Sequence, residues 1–336
     1  MQKVKLNVVL LGGGSWGTAV AALVARNAPV TLWARSAATV KEINDSHSNE
    51  RFLPGTTLPK ELRATTDIEE AVSSADVVVM GIPSQNFRGV LQQVAGHIRP
   101  WVPVVSLTKG LEAGTGNRMT EVVKEVLPGH PVGVLTGPNL AREIMEGRAA
   151  ASVIAMEDEI IVAALQGVFQ SGLFRVYTND DVIGCELGGV LKNIIAIAVG
   201  MGDGQGAGDN TRSALITRGL AEVTRLGVAL GGQADTFAGL AGMGDMIATC
   251  VSPQSRNRHV GLELAKGHSI EEVIASMVMV AEGVKTAPAV IALARKHGIS
   301  MPIAEEVHRV LTGESTAKRA FRGLLRVAAG AESDPG

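Results

Sequence analysis

The sequence predicts an α/β domain built on a doubly wound parallel sheet, followed by an all-α domain. Near the N-terminus, an apolar run leads through a glycine turn into an apolar helix, and strands then alternate with helical segments. From about residue 181 helical periodicity takes over. A length of 336 residues suits two domains, which we place at residues 1–182 and 183–329. The small, polar end at 330–336 predicts a disordered tail.

The first predicted strand, Lys5–Leu11, leads into a glycine turn that indicates a dinucleotide site. Gly12, Gly14 and Gly17 fit G-x-G-x-x-G, and the apolar helix predicted at Thr18–Arg26 follows. In this pattern the first glycine allows the tight turn, the second lets a pyrophosphate approach the backbone, and the third lets helix and strand pack closely. The helix N-terminus offers N–H groups and a positive dipole end to phosphates. We therefore expect a Rossmann-like domain; an ordinary glycine turn is the alternative.

The rest of the first domain is predicted to continue as strand–helix units. Helical segments separate the strands, and the helix at Asp67–Ser74 begins at a plausible capping residue, Asp67. The further strands are predicted at Val30–Ala34, Arg63–Thr65, Asp76–Ile82, Pro103–Thr108, Pro131–Leu135, Ala151–Ala155 and Leu173–Tyr177.

The second domain is predicted to be helical, with glycine-rich breaks at Gly200–Gly208 and Gly239–Gly244. The longer helices are predicted at Thr211–Leu226, Ser255–Lys266, Ile270–Met279 and Thr286–His297.

Composition excludes several classes of function. Aromatic residues are 3% of the chain, the net charge is -2, and the basic residues are spread along the sequence, so we expect no nucleic-acid partner. Apolar runs such as Ile194–Gly200 and Val273–Ala281 are too short or too interrupted to predict a membrane span. Cys185 and Cys250 have no metal or redox spacing, which indicates a reducing, cytoplasmic compartment. The histidines form no ligand pair, so we expect no metal.

Lys192 is the most unusual residue of the second half, because it lies inside the apolar segment Glu186–Ala198. Burial would lower the pKa of this lysine toward neutrality, which suits a proton donor and acceptor. The alternative is a surface lysine that snorkels to solvent beside Asn193.

Three further groups of residues are candidates for ligand contacts. Asp245 follows a glycine pair that would permit close approach of a ligand, although a helix N-cap explains it equally well. The run Ser255–Arg258 opens a helix with arginine and asparagine, which is a ready phosphate site or else ordinary capping. Lys109 lies at the carboxyl end of a predicted strand, where ligands bind in open α/β sheets, or is simply a surface lysine.

Arg35 bears on cofactor choice. Sites specific for NAD usually place Asp or Glu near the end of the second strand, but here that strand ends at Arg35 and no acid follows before Glu42. An arginine can pair with the 2′-phosphate of NADP. We expect NADPH to be used at least as well as NADH, unless Arg35 merely faces water.

Seven strings along the sequence are specific enough to compare with a known family. They are GGGSWGTA at Gly12–Ala19, LTKGLE at Leu107–Glu112, GPNLARE at Gly137–Glu143, GGVLKNIIAIA at Gly188–Ala198, GDNTRSALITRGLAE at Gly208–Glu222, LAGMGD…TC…SRNR at Leu240–Arg258 and AEGVKTA at Ala281–Ala287. Taken together, the sequence closely resembles the NAD(P)-dependent glycerol-3-phosphate dehydrogenases of bacterial type, from about Lys5 to about Leu325.

The resemblance implies roles for individual residues. Lys192 would be the catalytic acid/base, aided by Lys109 and Asp245. Beside Gly12, Gly14 and Gly17 of the turn, the implied cofactor contacts are Ser15, Trp16, Arg35, Lys109, Ala141, Arg256, Val280 and Glu282. The implied substrate contacts are Lys109, Gly137, Asn139, Lys192, Asp245, Ser255, Arg256 and Asn257. Asn139 stands where the family usually has serine or threonine, and it too offers a donor and an acceptor. The string DGQGAG within Gly202–Gly208 has no assigned role.

The implied reaction interconverts dihydroxyacetone phosphate and sn-glycerol 3-phosphate with NAD or NADP, supplying phospholipid synthesis. The helical second half suggests a homodimer. Two other functions compete. A dehydrogenase of similar build acting on a hydroxy acid would have no reason for the Ser255–Arg258 run, and a non-catalytic dinucleotide sensor would have no use for Lys192.

Overall fold

The computed structural model describes residues 6–277 and 279–324, which divide into two compact units. The first contains the chain up to Thr108 together with Arg118–Val182, and the second contains Lys109–Asn117 and the chain from Ile183 on. Residues 109–117 therefore do not belong to the first domain, where we had placed them. The reason is Leu111, which is buried in the apolar core of the second unit. The tail predicted at 330–336 lies outside the described residues.

The first unit contains an eight-stranded sheet with strand order β3-β2-β1-β4-β5-β6-β7-β8. Its strands are β1 (Val8–Leu11), β2 (Val30–Trp33), β3 (Arg63–Thr65), β4 (Val77–Met80), β5 (Val104–Ser106), β6 (Val132–Thr136), β7 (Ala150–Met156) and β8 (Phe174–Asn179). The sheet is not wholly parallel as predicted, because β7 runs antiparallel to β6. For β7 to run parallel to β6, the connection would have to carry the chain back to the end of the sheet where β6 begins, usually through a long helix. The one helix between β6 and β7, Ala141–Met145, has only five residues.

Helices cover both faces of this sheet. Val8 and Leu10 of β1 belong to one apolar core, and Val9 and Leu11 belong to a second. Alternate side chains of a strand point to opposite faces, so the strand is buried on both sides, as in a doubly wound fold. The helices are α1 (Ser15–Val24), α2 (Ala37–Ser46), α3 (Ile68–Ser73), α4 (Ser84–Val94), α5 (Met119–Val126), α6 (Ala141–Met145) and α7 (Glu159–Phe169). Asp67 caps α3 as predicted, since its carboxylate accepts from the N–H of Glu70.

Apart from the segment Lys109–Asn117, the described part of the second unit is helical. Its helices are α8 (Val182–Gly204), α9 (Asp209–Ala229), α10 (Ala234–Ala238), α11 (Asp245–Val251), α12 (Arg256–Ala265), α13 (Ile270–Ser276), α14 (Glu282–Lys296), α15 (Pro302–Leu311) and α16 (Ala317–Leu324). A π-helical turn at Leu240–Gly244 joins α10 to α11, within the segment where we predicted a glycine-rich break.

The break predicted to begin at Gly200 is wrong, because α8 continues to Gly204. Glycine is needed here for packing. A Cβ on Gly200 would lie 2.1 Å from the carbonyl oxygen of Arg258, and one on Gly261 would lie 2.1 Å from that of Ile197. The backbones of α8 and α12 are thus in direct contact. Helix α8 is long and apolar enough to cross a membrane, but 94% of its apolar window is buried inside the structure, as expected of a core helix.

Candidate active site

The turn between β1 and α1 has the geometry that a dinucleotide requires. Gly12 has a φ of +123°, and a Cβ there would lie 2.4 Å from the carbonyl oxygen of Gly81. A Cβ on Gly17 would lie 2.1 Å from the oxygen of Gly12, so these two glycines permit the turn and the helix–strand contact. Among the described residues, nothing lies within 4 Å of a Cβ built on Gly14, and no side chain caps α1. The first-turn amides therefore face open space that suits a diphosphate.

Asn49 holds this turn in place. Its side chain is fully buried, and its amide nitrogen donates to the carbonyl oxygen of Gly13 at 3.0 Å and to Oγ1 of Thr18 at 2.9 Å. Both acceptors lie within the glycine turn or the first turn of α1. The sequence analysis missed Asn49, because a single asparagine in a loop after α2 has no spacing that relates it to the turn.

The other predicted cofactor contacts of the first unit lie near the ends of its elements. Ser15 begins α1, and Ala141 begins α6. The Trp16 ring packs edge-on against Phe174 at 6.2 Å, while its indole nitrogen is buried and has no partner among the residues described. Arg35 follows the end of β2 and is exposed.

Gly137 and Asn139 follow the end of β6. Gly137 has a φ of +128°, which favours glycine, and the Asn139 amide nitrogen donates to Oγ of Ser152 at 3.2 Å. That hydroxyl donates in turn to the carbonyl oxygen of Thr136 at 2.6 Å. The side-chain oxygen of Asn139 is buried and accepts no hydrogen bond within the described structure. Asparagine thus fits this position and keeps one acceptor available.

In the second unit, two lysines share one buried carboxylate. The Nζ atoms of Lys192 and Lys109 lie 2.7 Å from Oδ1 and Oδ2 of Asp245, respectively. Lys192 is 5% exposed and Asp245 is 2% exposed, so Lys192 is not a snorkelling surface residue. Asp245 begins α11, but it binds the two ammonium groups instead of capping the helix. The cluster carries a net positive charge when both lysines are protonated.

The surroundings of Lys192 determine the pKa of its ammonium group. Burial is the largest influence and lowers the pKa of Lys192 to about 8; the charge of Lys109 acts in the same direction, and that of Asp245 opposes it. Lys192 also donates to Oγ1 of Thr249. The sequence analysis missed Thr249, although its position four residues after Asp245 places both on one face of α11. Burial raises the pKa of the neighbouring Cys250 to about 12, so that thiol adds no charge.

A chain of amide hydrogen bonds runs beside this cluster. Asn193, which the sequence analysis did not select as a site residue, donates from its side chain to the carbonyl oxygen of Lys109 at 3.1 Å. Its own oxygen accepts from the Asn257 side chain at 2.9 Å, and the Asn257 oxygen accepts from the N–H of Gly283 at 3.1 Å. Asn257 at the start of α12 is therefore held against Asn193, the residue that follows Lys192.

The remaining predicted residues surround the start of α12. Ser255 caps this helix by accepting from the N–H of Arg258 at 3.2 Å, which is the ordinary capping considered as an alternative. Arg256 is exposed, and its guanidinium donates to the carbonyl oxygen of Val280 at 2.8 Å. Glu282 begins α14. Val280, which is half-exposed, thus contacts Arg256 through its carbonyl oxygen, and Glu282 follows two residues later.

Comparisons with known proteins match both halves of the chain to one family. Residues 7–162 match the model of the NAD-dependent glycerol-3-phosphate dehydrogenase N-terminus, and residues 181–322 match that of the C-terminus. The glycerol-3-phosphate dehydrogenase (NAD(P)+) 2 of Sphingopyxis alaskensis is 68% identical, over 99% of this chain and all of its own. The glycerol-3-phosphate dehydrogenase (NAD(P)+) 1 of Mycobacterium tuberculosis H37Rv is 56% identical, over 97% and 96% of the two chains.

A solved structure is similar over almost the whole chain. The crystal structure of glycerol-3-phosphate dehydrogenase from Coxiella burnetii superposes with a TM-score of 0.92 at 38% identity, covering 96% of this chain and 99% of that one.

The contacts of Asn49 generate a prediction about dinucleotide binding. Asn49→Ala removes both hydrogen bonds to the glycine turn, so we expect the Kd for NADPH to rise about tenfold, as for the loss of one to two net hydrogen bonds. Asn44→Ala is the matched control, since within the described part of the chain the Asn44 side chain binds only the backbone of Ala64 on β3. Titration of NADPH fluorescence and thermal unfolding measure both variants. Equal losses of affinity in the two would show that Asn49 has no specific effect on the turn.

Proposed function

The chain belongs to the NAD-dependent glycerol-3-phosphate dehydrogenase family, and on that premise we propose that Lys192 transfers the proton of its reaction. The enzyme reduces dihydroxyacetone phosphate to glycerol 3-phosphate with NADH or NADPH, and the reaction is reversible. The hydroxy-acid dehydrogenase and the non-catalytic sensor are thereby set aside. The observation that carries the proton-transfer role is the burial of Lys192 on Asp245 beside a second lysine.

We propose that the glycine turn and its neighbours hold the cofactor. The open space before α1 supports diphosphate binding at Gly14, Ser15 and Trp16. When bound, NAD(P)H supplies the hydride that reduces the substrate carbonyl. Further contacts are assigned on family resemblance to Arg35, Lys109, Ala141, Arg256, Val280 and Glu282.

Substrate binding is assigned to charged and polar groups near the start of α12. Arg256 is exposed at the first position of this helix, and the helix N-terminus adds a positive dipole end, which together suit a phosphate. Asn257 would contribute its backbone, because its side chain is already bound by Asn193 and Gly283. Gly137, Asn139 and Ser255 are assigned as further substrate contacts on resemblance.

The lysine cluster supports the charge changes of the reaction. As the carbonyl carbon is reduced, its oxygen gains negative charge and must take up a proton. Two of the three N–H bonds of the Lys192 ammonium point at Asp245 and Thr249, which leaves the third for that oxygen. Lys192 gives up the proton and becomes a neutral amine, while the nearby Lys109 keeps a positive charge beside the new hydroxyl. In the reverse direction the neutral amine takes the proton.

Lys192→Ala tests this assignment. We expect the variant to fold and to bind NADPH, but to lose turnover by about 100- to 10,000-fold, as for removal of a general acid. NADPH absorbance with dihydroxyacetone phosphate measures kcat, and a thermal melt measures folding. Lys296→Ala, at an exposed lysine of the same unit, is the control that should retain full activity. A loss below threefold in Lys192→Ala would remove Lys192 from the mechanism.

The pKa of Lys192 sets the pH dependence. Reduction needs the protonated amine, so its kcat should fall as the pH rises through about 8, whereas kcat for oxidation should rise over the same range. Lys109→Met removes a charge that lowers the pKa of Lys192, so both inflections should move to higher pH. Lys285→Met, at an exposed position, should leave them unchanged. An unmoved inflection in Lys109→Met would show that this titration does not belong to the lysine cluster.

We propose that Arg35 selects NADPH. It is exposed at the end of β2 with no partner among the described residues, which supports pairing with a 2′-phosphate. Wild type should use NADPH at least as well as NADH, and Arg35→Asp should reverse the ratio of kcat/KM values, because it removes the pairing and adds repulsion. Arg63→Asp makes the same charge change at the start of β3 and should leave the ratio unchanged. A strong wild-type preference for NADH would contradict the role of Arg35.

We also propose that the enzyme acts in the cytoplasm as a homodimer. Cys185 and Cys250 are both buried and form no disulfide within the described part of the chain, as is usual in a reducing compartment. Met243, Ile247 and Val251 are exposed at four-residue spacing from the π-helical turn through α11, and such an apolar stripe supports association with a second copy.

A further inference from the structure

The string DGQGAG at the end of α8 forms one connected structure with α9 and α12. Asp203 lies in the last turn of α8, with its side chain only 6% exposed, and its two carboxylate oxygens bind two different arginines. Oδ1 accepts a hydrogen bond from Nε of Arg212 at 3.1 Å, and a terminal nitrogen of the same guanidinium lies 3.0 Å from it. Oδ2 accepts a hydrogen bond from Nε of Arg258 at 2.9 Å, and a terminal nitrogen of that guanidinium lies 2.7 Å from it. Hydrogen bonds between charged groups are the strong ones, and here one carboxylate receives two of them together with two further ion-pair contacts.

The rest of the string supports the same contact. Gly206 has a φ of +83°, and the N–H groups of Ala207 and Gly206 donate to the carbonyl oxygens of Gly202 and Asp203. This pattern ends the helix in a Schellman motif and leads the chain into α9, which carries Arg212. The Gln205 side chain donates to the carbonyl oxygen of Ala265, the last residue of α12, at 3.0 Å. The string therefore binds α12 near both of its ends.

The position of α12 matters because its first turn carries the proposed phosphate-binding residues. Arg258 lies two residues after Arg256 and one after Asn257, on the same helical turn. Along α8, Asn193 binds the Asn257 side chain, Gly200 contacts the Arg258 backbone, and Asp203 binds the Arg258 guanidinium. Spacings of seven and three residues keep these three positions on one side of α8. Asp203 thus completes a row of contacts that fixes the first turn of α12.

Resting on the proposed function, we propose that Asp203 is a positioning residue for the substrate phosphate, which acts through Arg258 on Arg256 and the backbone of Asn257. It does not touch the reacting atoms. Without its negative charge, two neighbouring guanidinium groups lose their shared counter-ion and repel each other. The Arg258 side chain then no longer fixes the first turn of α12, while Lys192 and Asp245 keep their own contacts. The consequence falls on binding of a phosphorylated substrate rather than on proton transfer.

Asp203→Asn tests the proposal, because a residue that positions the phosphate site should affect KM more than kcat. We expect KM for dihydroxyacetone phosphate to rise about tenfold, as for the loss of one hydrogen bond to a charged group, with a smaller change in kcat. The pH at which kcat for reduction falls should stay as in wild type, because the lysine cluster is intact. Arg258→Lys keeps the charge but loses the planar two-nitrogen contact, so it should raise KM in the same way. The double variant should be no worse than Asp203→Asn alone, because Arg258→Lys weakens a contact that the first change has already broken.

Asp209→Asn is the matched control. Asp209 is exposed and pairs with Arg212 but not with Arg258, so this variant should keep the wild-type KM. If Asp203→Asn fails to fold in a thermal melt, Arg258→Lys alone decides. An unchanged KM in the folded variants overturns the positioning role, as does an equal rise in Asp209→Asn. A wild-type enzyme that does not oxidise NADPH with dihydroxyacetone phosphate would instead overturn the proposed function.

Discussion

The chemistry proposed for the second unit depends on one carboxylate, that of Asp245, which lies between two ammonium groups. A lysine buried alone would lose its proton, and a carboxylate buried alone would be strongly destabilising. Lys192, Lys109 and Asp245 together hold one positive charge in excess when both lysines are protonated. That excess favours an oxygen that becomes negative during reduction. Burial is the largest influence that lowers the pKa of Lys192 to about 8, and the charge of Lys109 acts in the same direction. A pKa in this range suits the proposed transfer of a proton in either direction.

Helix α8 brings the parts of this arrangement together. It carries Lys192 and Asn193 at the lysine cluster, Gly200 at the contact with α12, and Asp203 at the pair of arginines. Its burial explains its composition, because a helix surrounded by other helices must be apolar on all sides except where a polar group has a partner. The glycines, which would weaken an exposed helix, allow backbone contact that a side chain would prevent.

Much of this could be predicted from the sequence, and what could not has a physical reason. Local patterns indicate the glycine turn, the strands and a buried Lys192. Thr249 could also have been found from a local pattern, because it lies one helical turn after Asp245. The antiparallel direction of β7 depends on the end of the sheet from which this strand starts. The alternation of side chains along a strand is the same in both directions, so the sequence pattern does not indicate it. Asn49 acts on residues more than thirty positions away, and no local pattern indicates such a contact.

The segment Lys109–Asn117 shows how a residue from the first half of the chain enters the chemistry of the second unit. A nucleotide-binding sheet does not choose a reaction; side chains placed around the substrate do. Leu111 is buried in the second core, and burial of a leucine contributes about 1.5–3 kcal/mol, which holds the segment there. The carbonyl oxygen of Lys109 then accepts from Asn193, and its ammonium reaches Asp245. The segment Lys109–Asn117 therefore adds the second positive charge to the cluster. The resulting excess charge distinguishes this site from a neutral lysine–aspartate pair.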